Sequence, residues 1–290
     1  MSEARRGMLF MAGFAGAWAI TEALEILLLA RYSLYQVTWV RFLVQSVMVL
    51  AICGVSRQGV PWHTPRPLLQ LARAAAMLAL TVAGARSLQY QVSPAAILLG
   101  LWAFPALLLL MTASMPGERA GVAGWSAVVA GYCAVLLAIQ PTASDLAASV
   151  YPIVMGVTLA AYVAMTKSLR RNPARVNLFV VALGVWVPLT PVVSQVWVAP
   201  TVTDLVVMLA IGLVGSVALY CLERVARGPT RAAAPFAYLQ VPFSIGIGWA
   251  TRAETPTAGL LAGTALIVGV TTWTWSRWNA GPEQNVERAA

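Results

Sequence analysis

The sequence is short of charge, of lysine, of histidine and of cysteine. Only 10% of its residues are charged, against roughly 25% in an ordinary soluble domain. Of its 19 basic residues one is a lysine, and His63 is the single histidine. That scarcity excludes His-rich metal sites and any Ser-His or Cys-His pair built on another histidine. The three cysteines, Cys53, Cys133 and Cys221, lie in or beside apolar runs without CxxC or metal spacing. They are expected to be small buried residues. No HExxH pair, DDxxD-type acidic cluster or Walker A loop occurs, which argues against a membrane metalloprotease, a prenyl transferase and direct drive by ATP. Lys167 falls at the end of its apolar run, so the mid-span lysine of a retinal protein is missing too. No metal or cofactor is expected.

Apolar sequence is what is abundant. Hydrophobic residues make up 60% of the chain and the mean hydropathy is +0.77. A core of this length cannot bury so much apolar surface, so lipid must cover most of it. Ten apolar segments can be marked, at 8–30, 34–54, 68–88, 94–114, 120–140, 148–168, 175–197, 203–223, 230–251 and 255–277. At 1.5 Å rise per residue, about 20 residues cross the ~30 Å hydrocarbon layer. Helix starts are signalled by Ser93-Pro94, Thr203-Asp204, Gly228-Pro229-Thr230 and Thr255-Pro256. Arg5-Arg6 before the first run suggests a signal peptide, but the run is long, contains Glu22 and Glu25 and lacks a clear A-x-A site. It is read as an uncleaved first span.

The pI near 10.1 invites a nucleic-acid reading, which the distribution of the charge answers. With the N-terminus inside, the inner side receives Arg5, Arg6, Arg57, Arg66, Arg73, Arg119, Lys167, Arg170, Arg171, Arg175, Arg224, Arg227, Arg231, Arg277 and Arg288. The outer side receives Arg31, Arg86 and Arg252, and Arg41 lies within a span. Such a bias is the positive-inside rule at work, with both termini cytoplasmic, and no nucleic-acid partner is expected.

The stretch Ser93–Ile139 and the stretch Ala232–Trp275 share a grammar. Each has a helix with a mid-span proline (Pro105, Pro242), an acidic turn (Glu118, Glu254) and a Gly/Ala-rich helix. Their offset is five spans, and an odd number of spans per repeat turns the second copy upside down in the membrane. Inverted repeats of this kind recur in secondary transporters, with substrate held near the midplane between the halves. The expected fold is an all-α membrane protein of ten transmembrane helices in two inverted five-helix repeats. Residues 1–141 form the first repeat, 142–278 the second, and 279–290 a disordered cytoplasmic tail.

These features resemble the drug/metabolite transporter superfamily, specifically its ten-span EamA-type members. The resemblance is carried by Pro105 with Pro116-Gly117-Glu118-Arg119, by Pro242 with Glu254, Gly259, Gly263 and Gly269, and by Arg41. It runs from about residue 8 to 277. Ala253 and Ala127 depart from glycines usual in that family. The resemblance implies a secondary transporter of the bacterial inner membrane. Members export amino acids, related metabolites or opine-type metallophores, while others import riboflavin or S-adenosylmethionine.

Ionisable groups inside hydrocarbon cost about 2.5–3.5 kcal/mol each at a helix centre and so point to function. Glu22 and Glu25 share a face of the first span, one turn after Trp18. Each is expected either to bind a substrate amine or take up a proton in the cavity, or to pair structurally with Arg41, whose depth matches that of Glu25 while Glu22 lies nearer the middle. Arg41 either grips a substrate carboxylate bidentately or neutralises its neighbour. Gln45 and Gln240 need partners in apolar surroundings, across helices or in a ligand. Trp102, Tyr162 and Tyr238 lie deep, as packing or as walls of the site. The candidate midplane cavity is therefore Trp18, Glu22, Glu25, Arg41, Gln45, Trp102, Tyr162, Tyr238 and Gln240. Pro105, Pro188 and Pro242 are flex points or plain kinks, and Glu118 and Glu254 cap helix starts. Export of a zwitterionic, amino-acid-like compound comes first and import of a vitamin or nucleoside-like compound second. A membrane-embedded enzyme is the contrasting class, without a motif to support it. Proton coupling through Glu22 is open, and no oligomeric state follows.

Overall fold

A computed structural model describes residues 2–57, 59, 64–252 and 255–279. His63, Glu254 and the tail at 280–290 lie outside the described residues, and with them the capping role expected of Glu254 and the disorder expected of the tail. Every element among the described residues is helical. The helices are α1 (Glu3–Leu29), α2 (Leu34–Val55), α3 (Pro67–Gln89), α4 (Pro94–Leu101), α5 (Phe104–Thr112) and α6 (Val122–Ile139). They continue with α7 (Ala143–Ala147), α8 (Val150–Ser168), α9 (Ala174–Val196), α10 (Val202–Val225) and α11 (Thr230–Ala233). A 3₁₀ turn (Ala234–Leu239), α12 (Gln240–Arg252) and α13 (Ala258–Asn279) complete the chain. Taking α4 and α5 together, nine helices among the described residues are long and apolar enough to cross a membrane. The segment expected as the ninth span is instead an interrupted run, α11 to α12.

Of the three prolines singled out in the sequence, Pro188 lies inside α9, while Pro105 and Pro242 stand just after a break. α4 stops at Leu101, the chain turns at Trp102-Ala103, and Pro105 is the second residue of α5. The other break is the 3₁₀ turn, after which Pro242 is the third residue of α12. A proline in the first turn of a helix loses no hydrogen bond, since those N–H groups have no intrahelical acceptor. Helix starts shift slightly from the sequence expectation. Thr201, not Thr203, caps α10, its hydroxyl accepting from Asp204 N. Thr257, not Thr255, accepts from Leu260 N at the start of α13. Ser93 caps α4 as expected.

Helix pairing follows a pattern. α1 packs on α10 and α3 on α8, α2 on α9, and α6 on α13. α2 also meets α10, as α9 meets α3. α4 and α5 lie against α8, while α11, the 3₁₀ turn and α12 lie against α1. Exchanging each span with the one five later returns the same set of pairs. Small residues set the closest approaches. A Cβ on Gly263 of α13 would come 2.5 Å from Ala134 O of α6, so only glycine fits there. Gly13 and Gly16 of α1 face Cys221 Sγ and the Phe243 ring at 3.3 Å or more, a looser fit. Of the cysteines, Cys53 and Cys221 are buried as expected, but Cys133 is exposed on α6.

The face bearing the N-terminus is tied shut. Glu118, in the turn after α5, accepts from Thr230 N at 2.8 Å and from the Thr230 hydroxyl, and pairs with Lys167 Nζ at 2.7 Å. Lys167 Nζ also donates to Gly228 O at 2.7 Å. Glu118 thus caps a helix start, as expected, but that of α11 rather than of the helix following it. Deeper, Arg73 of α3 and Glu223 of α10 form a buried ion pair at 2.6 Å. Arg73 also donates to Tyr162 OH at 2.8 Å and Asn177 O at 3.2 Å, and Asn177 Nδ2 donates to Glu223 Oε2 at 2.8 Å. Arg73, expected on the inner side within the third apolar segment, lies in the second turn of α3 and is wholly buried, because that turn faces the bundle.

Candidate functional site

Toward the opposite face the bundle opens into a cavity of about 450 Å³, within the ~300–1,000 Å³ range of small-molecule sites. Its rim is formed by Leu29, Leu34, Leu88, Val92 and Pro94, at the far ends of α1 to α4. Its depth is formed by Ala19, Glu22, Met155, Gln240, Val241 and Ser244. The walls are apolar, with Glu22, Glu25, Gln240, Ser244 and Ser87 as the polar lining.

Glu22 is the centre of the polar floor. Trp18, one helical turn earlier, donates its Nε1 to Glu22 Oε1 at 2.8 Å. From α12, Gln240 Nε2 donates to Glu22 Oε2 and, at 2.9 Å, to Ser244 Oγ one turn on. Gln240 reaches Glu22 because α12 restarts at that residue, so the helix break delivers its first side chain to the cavity. No cation stands within ion-pairing distance of Glu22 among the described residues.

Glu25, also lining the cavity, pairs with Arg41 Nη1 at 3.4 Å. The guanidinium lies 5.4 Å from the Trp18 ring centroid and 5.6 Å from that of Phe42. It occupies space that Gly215 of α10 leaves free, since a Cβ there would sit 3.0 Å from Arg41 Cζ. Arg41 does not line the cavity. Its partner here is Glu25, one of the two carboxylates that the sequence offered.

The remaining expected site residues separate. Gln45 donates to Leu178 O at 2.8 Å, a bond between α2 and α9 away from the cavity. Tyr162 belongs to the Arg73 cluster. Trp102 and Tyr238 sit at the two helix breaks with ring centroids 6.3 Å apart, and Tyr238 OH donates to Val128 O at 3.2 Å. Both are buried and neither is part of the lining. Trp18, Glu22, Glu25 and Gln240 are therefore the expected residues that come together. Ser244 and Ser87 were missed. Ser244 carried a signal, lying one turn after Gln240 on the same helical face. Ser87 carried none, since a serine at a helix end is ordinarily a solvated or backbone-bonded residue, and its hydroxyl indeed donates to Ala83 O at 3.0 Å.

No family model matches the chain. A curated riboflavin transporter of Rhizobium johnstonii is 28% identical over 173 residues, covering 57% of this chain and 56% of that protein. The chain thus matches little more than half the length of that relative. One solved crystal structure superposes with a TM-score of 0.79 at 19% identity, covering 91% of this chain and 95% of the other. At that identity the likeness is one of fold. Together with its apolar helices, these similarities make the chain an integral multi-pass membrane protein.

Proposed function

We propose that the protein is a secondary transporter that moves a small organic molecule by alternating access, with Glu22 and Gln240 as its substrate contacts. The observation that carries this reading is a cavity lined toward one face of the bundle, while the Arg73–Glu223 and Glu118–Lys167 pairs tie the helices together at the other. At the cavity floor lies a carboxylate, Glu22, that no cation among the described residues pairs. The main helix pairs, which map onto one another when segments five apart are exchanged, support two five-helix repeats, with the run from α11 to α12 as the tenth crossing. The arginine bias supports a cytoplasmic N-terminal face and a cavity open to the outside. Arginine abundance and composition favour the inner membrane of a bacterium.

For the substrate, the relative named as a riboflavin transporter supports uptake of a flat, vitamin-like compound. Amino-acid export rests on Glu22 and Arg41 as a zwitterion's two contacts, and Arg41, paired with Glu25 outside the lining, weakens that support. Glu22 is the group we assign to proton coupling, since it can exchange a proton without breaking an ion pair. Uptake of labelled riboflavin into proteoliposomes tests the reading directly. Wild-type protein should accumulate it above empty vesicles and Glu22→Gln should not. Equal, vesicle-like uptake by both, in protein shown to be folded, would remove riboflavin as the substrate.

A further inference from the structure

We infer that the cavity selects its ligand by charge, accepting neutral or cationic molecules that donate hydrogen bonds to Glu22 and Gln240, and rejecting anions. This inference rests on the transporter reading and deepens it.

The described lining contains carboxylates, an amide and hydroxyls, and no lysine, arginine or histidine. Arg41, the nearest buried cation, is held by Glu25 and by the Trp18 and Phe42 rings, outside the lining. Arg86, on the neighbouring end of α3, donates to Gln89 at 2.8 Å and does not line the cavity either. The charge of the Glu22, Glu25 and Arg41 set follows from this geometry. With Glu22 ionised it sums to minus one, and with Glu22 protonated it is neutral. In neither state does a net positive charge face a ligand. An anion entering among apolar walls would give up its hydration and meet no counter-charge, the costliest form of burial.

Hydrogen-bonding capacity points the same way. Of the donors on the floor, Trp18 Nε1 and Gln240 Nε2 are committed to Glu22, and Gln240 Nε2 also to Ser244, whose hydroxyl keeps one proton to donate. Acceptor capacity, from the Glu22 and Glu25 carboxylates, exceeds it. Gln240 is 1% exposed, and its Oε1 has no hydrogen-bond partner in the protein. A ligand that brings an N–H or O–H satisfies that acceptor when the Gln240 side chain turns it toward the lining. The ligand class is therefore an apolar-bodied molecule with donors at one end and no negative charge. A neutral flavin meets that description and its phosphate ester does not.

The test uses two independent readouts. Cysteines are placed at the floor (Ser244→Cys) and at the rim (Leu88→Cys) after Cys53→Ala, Cys133→Ala and Cys221→Ala. Their reaction rates with a trimethylammonium and a sulfonate methanethiosulfonate are then compared, each relative to a free thiol. The cationic reagent should be favoured about tenfold at the floor, the effect of roughly 1.4 kcal/mol from one nearby unscreened carboxylate, and less at the rim. Glu22→Gln should reduce the preference. A floor preference for the sulfonate, or none, overturns the inference. The second readout is thermal stabilisation of the intact protein by riboflavin and by riboflavin 5′-phosphate. Stabilisation by the first alone is expected, and equal stabilisation by both would refute charge selection while leaving the transporter reading in place. If neither stabilises but the reagent preference holds, riboflavin is the wrong ligand and the charge rule survives.

Discussion

Glu22 and Glu25 are the same residue type, one turn apart on one helix, and their surroundings give them different work. Glu25 neutralises a buried guanidinium, whereas Glu22 is held by neutral donors and faces the cavity. Glu25→Gln should therefore cost about 2–3 kcal/mol, somewhat below the ~3–5 kcal/mol for breaking a fully buried pair, because water reaches the cavity wall. Glu22→Gln should change stability by less than ~1 kcal/mol while weakening ligand binding tenfold or more, the scale of a hydrogen bond to a charged group. Thermal unfolding in detergent, with and without ligand, separates the two effects. The Arg73–Glu223 pair is fully buried, so Arg73→Met alone should cost ~3–5 kcal/mol and adding Glu223→Leu should recover most of it. Recovery would fail if Asn177 and Tyr162, left without their partners, dominate the loss. That Glu22 faces inward was legible from spacing and insertion cost. That Arg73 does so was not, because a cation six residues into a helix looks the same as one at a loop edge until its neighbours are known.

At the scale of the element, the breaks matter more than the helices. A continuous ninth span would carry Gln240 in mid-helix, and the 3₁₀ turn makes it instead the first residue of α12. Hydropathy registers the apolar run and is blind to the interruption, since a 3₁₀ turn is as apolar as the helix around it. The paired prolines were the visible trace of the breaks, displaced from them by a few residues. Glycines show the same limit. Gly263 and Gly269 lie on one helix, yet a Cβ at Gly263 meets Ala134 O at 2.5 Å, and one at Gly269 meets nothing within 4 Å. Gly263→Val should destabilise the protein by about 1–3 kcal/mol through overpacking, and Gly269→Val should be near neutral. Equal effects in a thermal-unfolding comparison would mean that α6 and α13 do not pack as described.

For the whole molecule, the proposed transport requires the end tied by these ion pairs to part. Glu118 ties the turn after α5 to the end of α8 and the start of α11, so releasing it should shift the population toward opening at the N-terminal face. Thr112, fully buried beside Thr230, reports on that event. In a background without native cysteines, Thr112→Cys should resist thiol reagents added at the N-terminal face, and adding Glu118→Gln should make it reactive. Continued protection in folded protein would mean that the Glu118 contacts are architecture and do not hold the seal.

The sequence by itself determined that the chain lies in a membrane, roughly where it crosses, and that Glu22 must be turned from lipid. Those properties follow from hydrocarbon thickness, helical rise and the cost of burying charge, all of which act locally along the chain. The tertiary structure decided which of two carboxylates Arg41 neutralises, that Arg73 is a core residue, and that Gln240 meets Glu22 across 218 positions of sequence. Pairing across that distance depends on how the helices break and cross, and neither composition nor periodicity records it.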